Sequence, residues 1–168
     1  LGVYRWRAIS RVTDPTTGEI AVTPRTVQFA RRIVAELHKA RALCPTYGAT
    51  CSVVGQIEMF VLRDPSGADR IRAGYRLAPS DATACYLAGL VDALEGQHDA
   101  SLEKFQRCLQ ANGGFFREMA DVYLRQVQRP DLAVAIAGDD VERLLYVADA
   151  LHKSPDHQEL AAKVRDLV

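Results

Sequence analysis

Residues 48–81 read GATCSVVGQIEMFVLRDPSGADRIRAGYRLAPSD, and residues 82–115 read ATACYLAGLVDALEGQHDASLEKFQRCLQANGGF. Laid one above the other, these two stretches of equal length align Cys51 with Cys85, Val54 with Ala88, Gly55 with Gly89, Ile57 with Val91 and Phe60 with Leu94. Pro45, Pro79 and Gly113 fall at the same interval. Self-similarity at a period of about 34 residues marks an array of helix-turn-helix units, so an all-α fold of antiparallel helix pairs is expected.

The same interval links the second helices. Leu37, Ile71 and Phe105 form one column, Ala40, Gly74 and Cys108 a second, and Leu43, Leu77 and Ala111 a third. Large residues align with large and small with small. A large side chain fills the gap between neighbouring helices, whereas a small one lets two backbones approach.

Towards the N-terminus, residues 13–23 hold the breakers Asp14-Pro15 and Gly18 and read as a loop; residues 1–23 are taken as an extension or linker. A helix is expected over 24–44, with Thr23 as N-cap, Pro24 at its first position and Pro45 at its end. Val27, Ala30, Ile33, Val34, Leu37, Ala40 and Leu43 give it an amphipathic period. Towards the C-terminus the interval slips. Residues 116–128 suit a first helix with Met119, Val122, Tyr123 and Val127 on one side, but Pro130 and Gly138 leave only a short second helix over 131–137. We read 116–140 as a shortened repeat. A terminal helix pair follows over 141–168, with Leu144, Val147, Ala148 and Leu151 in its first helix, a turn at Ser154-Pro155-Asp156, and Leu160, Val164 and Leu167 in its second.

Composition bounds the function. Hydrophobic residues make up 48% and charged residues 25% of the 168, which suits a folded domain rather than a disordered chain. Lys+Arg and Asp+Glu both number 21, so no overall field favours nucleic acid. Residues 1–47 carry eight basic and three acidic groups, a spacing read as a solvated helix face. Cys44, Cys51, Cys85 and Cys108 form no CxxC pair; three of the four fall on helix positions where a repeat buries small residues and are read as compact core fillers, with a Cys44–Cys51 bridge open only in an oxidising compartment. No metal or cofactor is expected. His38, His98, His152 and His157 are scattered, the 152–157 segment reads as a turn, and Asp139-Asp140 reads as a helix cap. Gly113-Gly114 lacks the lysine and hydroxyl residue of a phosphate loop and reads as a helix stop.

The segment 37–115 resembles tetratricopeptide repeats, a family with a hydrophobe followed by Gly or Ala in the first helix and an A-x3-F-x2-A run ending in Pro in the second. Residues 82–115 carry Ala88-Gly89, Gly96 at the turn, Phe105 and a small Cys108; Ser101 replaces the usual alanine and Gly113 the usual proline. Residues 48–81 carry Val54-Gly55, the turn Asp64-Pro65-Ser66-Gly67, Ile71, Gly74 and Pro79. Cys51 and Cys85 stand where the family has a large aromatic.

The resemblance implies a right-handed superhelix of stacked helix pairs whose first helices line a concave groove. It points to Ser52, Gln56, Met59, Tyr86, Leu90, Arg117 and Leu124 as groove residues, together with Ala93 and Ala120. Their mixture of aliphatic, aromatic and amide groups suits an extended peptide or short helix. The expected function is therefore a non-catalytic module, no enzyme, that binds a partner protein or peptide. The alternative is a repeat appendage of a larger bacterial membrane protein of the kind that handles envelope polysaccharide, motivated by the start Leu1-Gly-Val-Tyr-Arg-Trp-Arg7 without an initiating Met. Either reading places a soluble domain on the cytoplasmic or periplasmic side of a bacterial cell.

Overall fold

Thr23 begins the first helix: its hydroxyl accepts the Thr26 N–H at 3.1 Å, and Pro24 follows where no N–H is required. In a computed structural model of the chain, which describes residues 22–154 and 157–167, this helix, α1, runs Pro24–Leu43. Next come α2 (Gly48–Phe60), α3 (Ser66–Leu77), α4 (Ala82–Leu94), α5 (His98–Ala111) and α6 (Phe116–Asp121). The chain ends with α7 (Pro130–Ala137), α8 (Val141–His152) and α9 (Gln158–Arg165). A short 3-10 turn, Gly113–Phe115, precedes α6, and a π-helical turn, Val122–Gln126, follows it. Among the described residues there is no strand, so the fold is all-α, with consecutive helices packed as neighbours. Residues 1–21 of the expected extension 1–23, the turn residues 155 and 156, and residue 168 at the end of the terminal pair lie outside the described residues.

The chain forms two compact units, Leu1–Ala88 and Gly89–Val168, whose boundary falls inside α4. Helix limits follow the sequence interval: α4 begins and ends one full interval after α2, and the last residues of α3 and α5 are spaced in the same way. The first residues of α3 and α5 are not. Ser66 and His98 stand closer together than the interval, because five residues link α2 to α3 and three link α4 to α5.

That difference has a backbone cause. After α4, Gly96 takes a left-handed φ of 77°, and the Gln97 N–H returns to Asp92 O at 2.8 Å, a compact Schellman stop. After α2 a wider stop forms, with Leu62 N–H on Ile57 O, Asp64 N–H on Glu58 O, and Arg63 at φ 58°. The π turn after α6 ends in the same wide form, with Val127 N–H on Val122 O, Arg129 N–H on Tyr123 O, and Gln128 at φ 56°.

In the first unit, Ala30, Ile33 and Leu37 of α1 cluster with Val53, Val54, Ile57 and Val61. Ala40 and Leu43, expected to continue the buried columns, are exposed, Leu43 by 89%. Leu77 is 45% exposed and Ala111 is exposed as well, so the third column runs along open helix ends rather than through a core. Helices α2 and α3 approach until their backbones touch. A Cβ placed on Gly55 would lie 2.5 Å from Gly67 O, one on Gly67 2.5 Å from Gly55 O, and one on Gly48 2.5 Å from Gly74 O. Only glycine permits this contact.

In the second unit the hairpin α4–α5 uses one large side chain instead. A Cβ on Gly89 would meet the Phe105 ring at 2.5 Å, as one on Gly55 meets Ile71 Cγ1 at 2.8 Å. Ile71 and Phe105 are both fully buried. One more step of the same interval brings the column of Gly55 and Gly89 to Tyr123. Its buried ring packs edge-on against Phe105 at 5.3 Å, and its hydroxyl meets Ser101 Oγ at 2.9 Å. A tyrosine where the pattern needs a glycine prevents a third close glycine contact with the facing helix, and the π turn begins one residue before it. Arg129 then grips Asp131 through two N–H groups at 2.8 and 2.7 Å as α7 starts.

All four cysteines are free thiols. Cys44 is exposed; Cys51, Cys85 and Cys108 are buried, with the Cys51 thiol donating to Arg70 O and the Cys85 thiol to Pro79 O.

Candidate functional site

Two surfaces come into question, one on each unit. In the first unit the fold separates the residues expected to line a groove. Ser52 is fully buried with its hydroxyl against Gly74, so it serves the α2–α3 contact and not an open face. Gln56, Met59 and Tyr86 are half-buried and keep part of their side chains in solvent.

In the second unit Leu90, Ala93 and Ala120 are buried. Arg117 is exposed and Leu124 half-buried, and both belong to the surroundings of one cleft of about 770 Å3. Leu124, Arg125 and Gln128 form one wall. Tyr146, Asp149, Ala150 and Lys153 form the other, and Ser154 and His157 lie at its end.

The geometry around Tyr146 is closely determined. Its hydroxyl donates to Asp121 Oδ1 at 3.0 Å, and Asp121 lies 3.4 Å from Arg125 Nε one turn further along the same stretch. The Arg117 guanidinium stands 5.4 Å above the Tyr146 ring, and Phe116 meets that ring edge-on at 5.9 Å. Arg143 in turn stacks 5.4 Å over Phe116 while pairing with Asp140, which caps α8 by accepting the Arg143 N–H at 3.1 Å. Burial, reinforced by the Asp121 carboxylate, raises the Tyr146 phenol above its ordinary range. Arg165 of α9 reaches Asp149 at 2.9 Å and occupies the carboxylate on the cleft wall. The result is an aromatic cluster around Tyr146 beside apolar patches and exposed cations, an arrangement that can hold a side-chain-sized ligand by stacking and charge.

Sequence reasoning overlooked Tyr146, Arg125 and Lys153, because they lie where the repeat interval has already lapsed. It also overlooked two ion pairs, each on a buried carboxylate, that the interval does carry. Glu58, almost fully buried, holds Arg70 Nε at 2.6 Å, with His38 Nε2 3.9 Å away. Asp92, equally buried, holds Lys104 Nζ at 2.5 Å. Asp92 follows Glu58 by one repeat interval, and Lys104 follows Arg70 by the same step. Among the described residues no group of three His, Cys, Asp or Glu side chains is placed to hold a metal ion, and no helix is long and apolar enough to cross a membrane. No family model matches the chain, and no curated protein or solved structure matches it.

Proposed function

We propose that this chain is a helical-hairpin repeat protein of the tetratricopeptide kind, a non-catalytic module that binds a segment of a partner protein. The observation that carries the reading is the return of one hairpin at a fixed interval in three independent respects. The limits of α2 and α4, the contact of a glycine with a large residue (Gly55 with Ile71, Gly89 with Phe105) and the ion pair on a buried carboxylate all recur at the same spacing. Arrays built this way present partly open first-helix residues to extended or helical ligands. Gln56, Met59 and Tyr86 on one unit, and Arg117 and Leu124 on the other, are the residues assigned to that role.

The test pairs binding with folding. The variant Gln56→Ala/Tyr86→Ala should lose capture of the partner from a lysate of the native host, while its melting temperature stays close to that of the wild type. Undiminished capture by a folded double variant would remove these two residues from the binding surface.

A further inference from the structure

The cleft of the second unit has an uneven charge balance. Of the Arg, Lys, Asp and Glu residues that line it, Arg125 and Lys153 are cationic and Asp149 anionic; Arg117 lies over the Tyr146 ring, Arg165 pairs with Asp149, and Asp121 takes the Tyr146 hydroxyl. Both carboxylates are already engaged. Asp149 faces Arg165, and Asp121 is shared by the Tyr146 hydroxyl and Arg125. Arg117 contacts the Tyr146 ring through the face of its guanidinium, an arrangement that leaves edge N–H groups able to donate elsewhere. Lys153 is exposed at the rim. Between these cations lie Leu124 and Ala150, both half-buried, over the buried Leu151.

We propose that this cleft binds an acidic peptide segment, with one apolar side chain seated against Leu124 and Ala150 and flanking carboxylates at Arg125 and Lys153. The proposal rests on the partner-binding reading and gives that partner a chemistry. Carboxylates are favoured because both carboxylates at the cleft are engaged, whereas Lys153 is exposed and Arg125, 74% exposed, meets Asp121 through Nε at 3.4 Å and keeps the rest of its guanidinium in solvent. A peptide is favoured because an apolar wall and a volume of about 770 Å3 suit side chains, whereas a lone small anion would gain nothing from Leu124.

Fluorescence anisotropy tests this on the whole chain with three short labelled peptides: one alternating Glu and Leu, its Gln-for-Glu counterpart and its Lys-for-Glu counterpart. The wild type should bind the Glu peptide best, and less tightly as salt rises. Arg125→Glu/Lys153→Glu should weaken it by at least about tenfold. Lys153→Gln, which disturbs no contact described above, should weaken it by a smaller factor. Arg32→Glu/Lys39→Glu, the same charge change on exposed α1 positions, should leave it unaltered. Equal binding of all three peptides, still lost on Leu124→Ser, would overturn the acidic assignment and leave a peptide-binding cleft. Binding of the Glu peptide that is indifferent to both Lys153→Gln and the double reversal would overturn the site. No binding of any peptide would overturn it too, and if capture through Gln56 and Tyr86 persisted, the broader reading would survive.

Discussion

Arg70 Nε lies 2.6 Å from Glu58 Oε2 between α2 and α3, with the carboxylate buried at 6% exposure while the arginine keeps about a quarter of its side chain, 28%, in solvent. Its counterpart, Asp92 with Lys104, occupies the same place in the next hairpin. A pair built on a buried carboxylate contributes little beyond an apolar pair of the same shape, yet removing the cation strands the carboxylate. Lys104→Met should therefore lower stability by about 3 kcal/mol, and Asp92→Leu/Lys104→Met should recover most of that loss. Urea unfolding of the two variants and the wild type measures both steps. A double variant as weak as the single one would mean that the charges themselves hold the hairpin.

Gly55 and Gly67 face one another across the α2–α3 contact, where backbone and not a movable side chain would meet any added methyl. Gly55→Ala and Gly67→Ala should each cost about 1–3 kcal/mol despite alanine's better helix propensity. Thermal unfolding reads the cost. Gly89→Ala, which meets the edge of the Phe105 ring, should cost less, because a ring can shift where a carbonyl cannot.

Arg63 and Gln128 both adopt left-handed backbone conformations, at φ 58° and 56°. A side chain there is disfavoured by about 1–2 kcal/mol, offset in part by the greater freedom glycine has when unfolded. Arg63→Gly and Gln128→Gly should thus stabilise the chain by up to about 1 kcal/mol, seen as a higher urea midpoint at unchanged slope.

The Tyr123 phenol is raised above 10.0 by burial, with the Ser101 hydrogen bond opposing the shift only in part. Its neutral form is thus preferred in the folded state. The stability linked to it is fully present below the unfolded value and is lost as pH rises through the folded one. Unfolding followed across pH 9 to about 12 should show a decline that is shallower in Tyr123→Phe. At neutral pH the same variant should be about 1–2 kcal/mol weaker, since the buried Ser101 hydroxyl then lacks its partner.

Much of the fold was legible in the sequence because hairpin packing depends on side-chain size at fixed intervals, and size is written in residue type. The columns of Gly55 with Gly89 and Ile71 with Phe105 correspond to real contacts for that reason. Where the columns misled, as at Ala40, Leu43 and Leu77, position within a helix mattered more than period: these residues sit in last turns and stay exposed. Ser52 misled in the opposite way. It falls on the helical stripe expected to face a ligand, but its small size lets it fill the space beside Gly74. The cleft was harder to foresee, since it depends on Tyr146 meeting Asp121 far along the chain and no period relates those two. The π turn was equally hidden. Nothing in Val122–Gln126 departs from ordinary helix composition, and only the bulk of Tyr123 against Phe105 marks the place where the ladder widens.

The arrangement of the four thiols supplies a built-in gauge of breathing motions. A thiol reagent should modify Cys44 at once and reach the others only when a helix pair momentarily parts. Cys51 and Cys85 belong to one unit and Cys108 to the other, so the slow reaction rates would clock the opening of each half separately, without an added label.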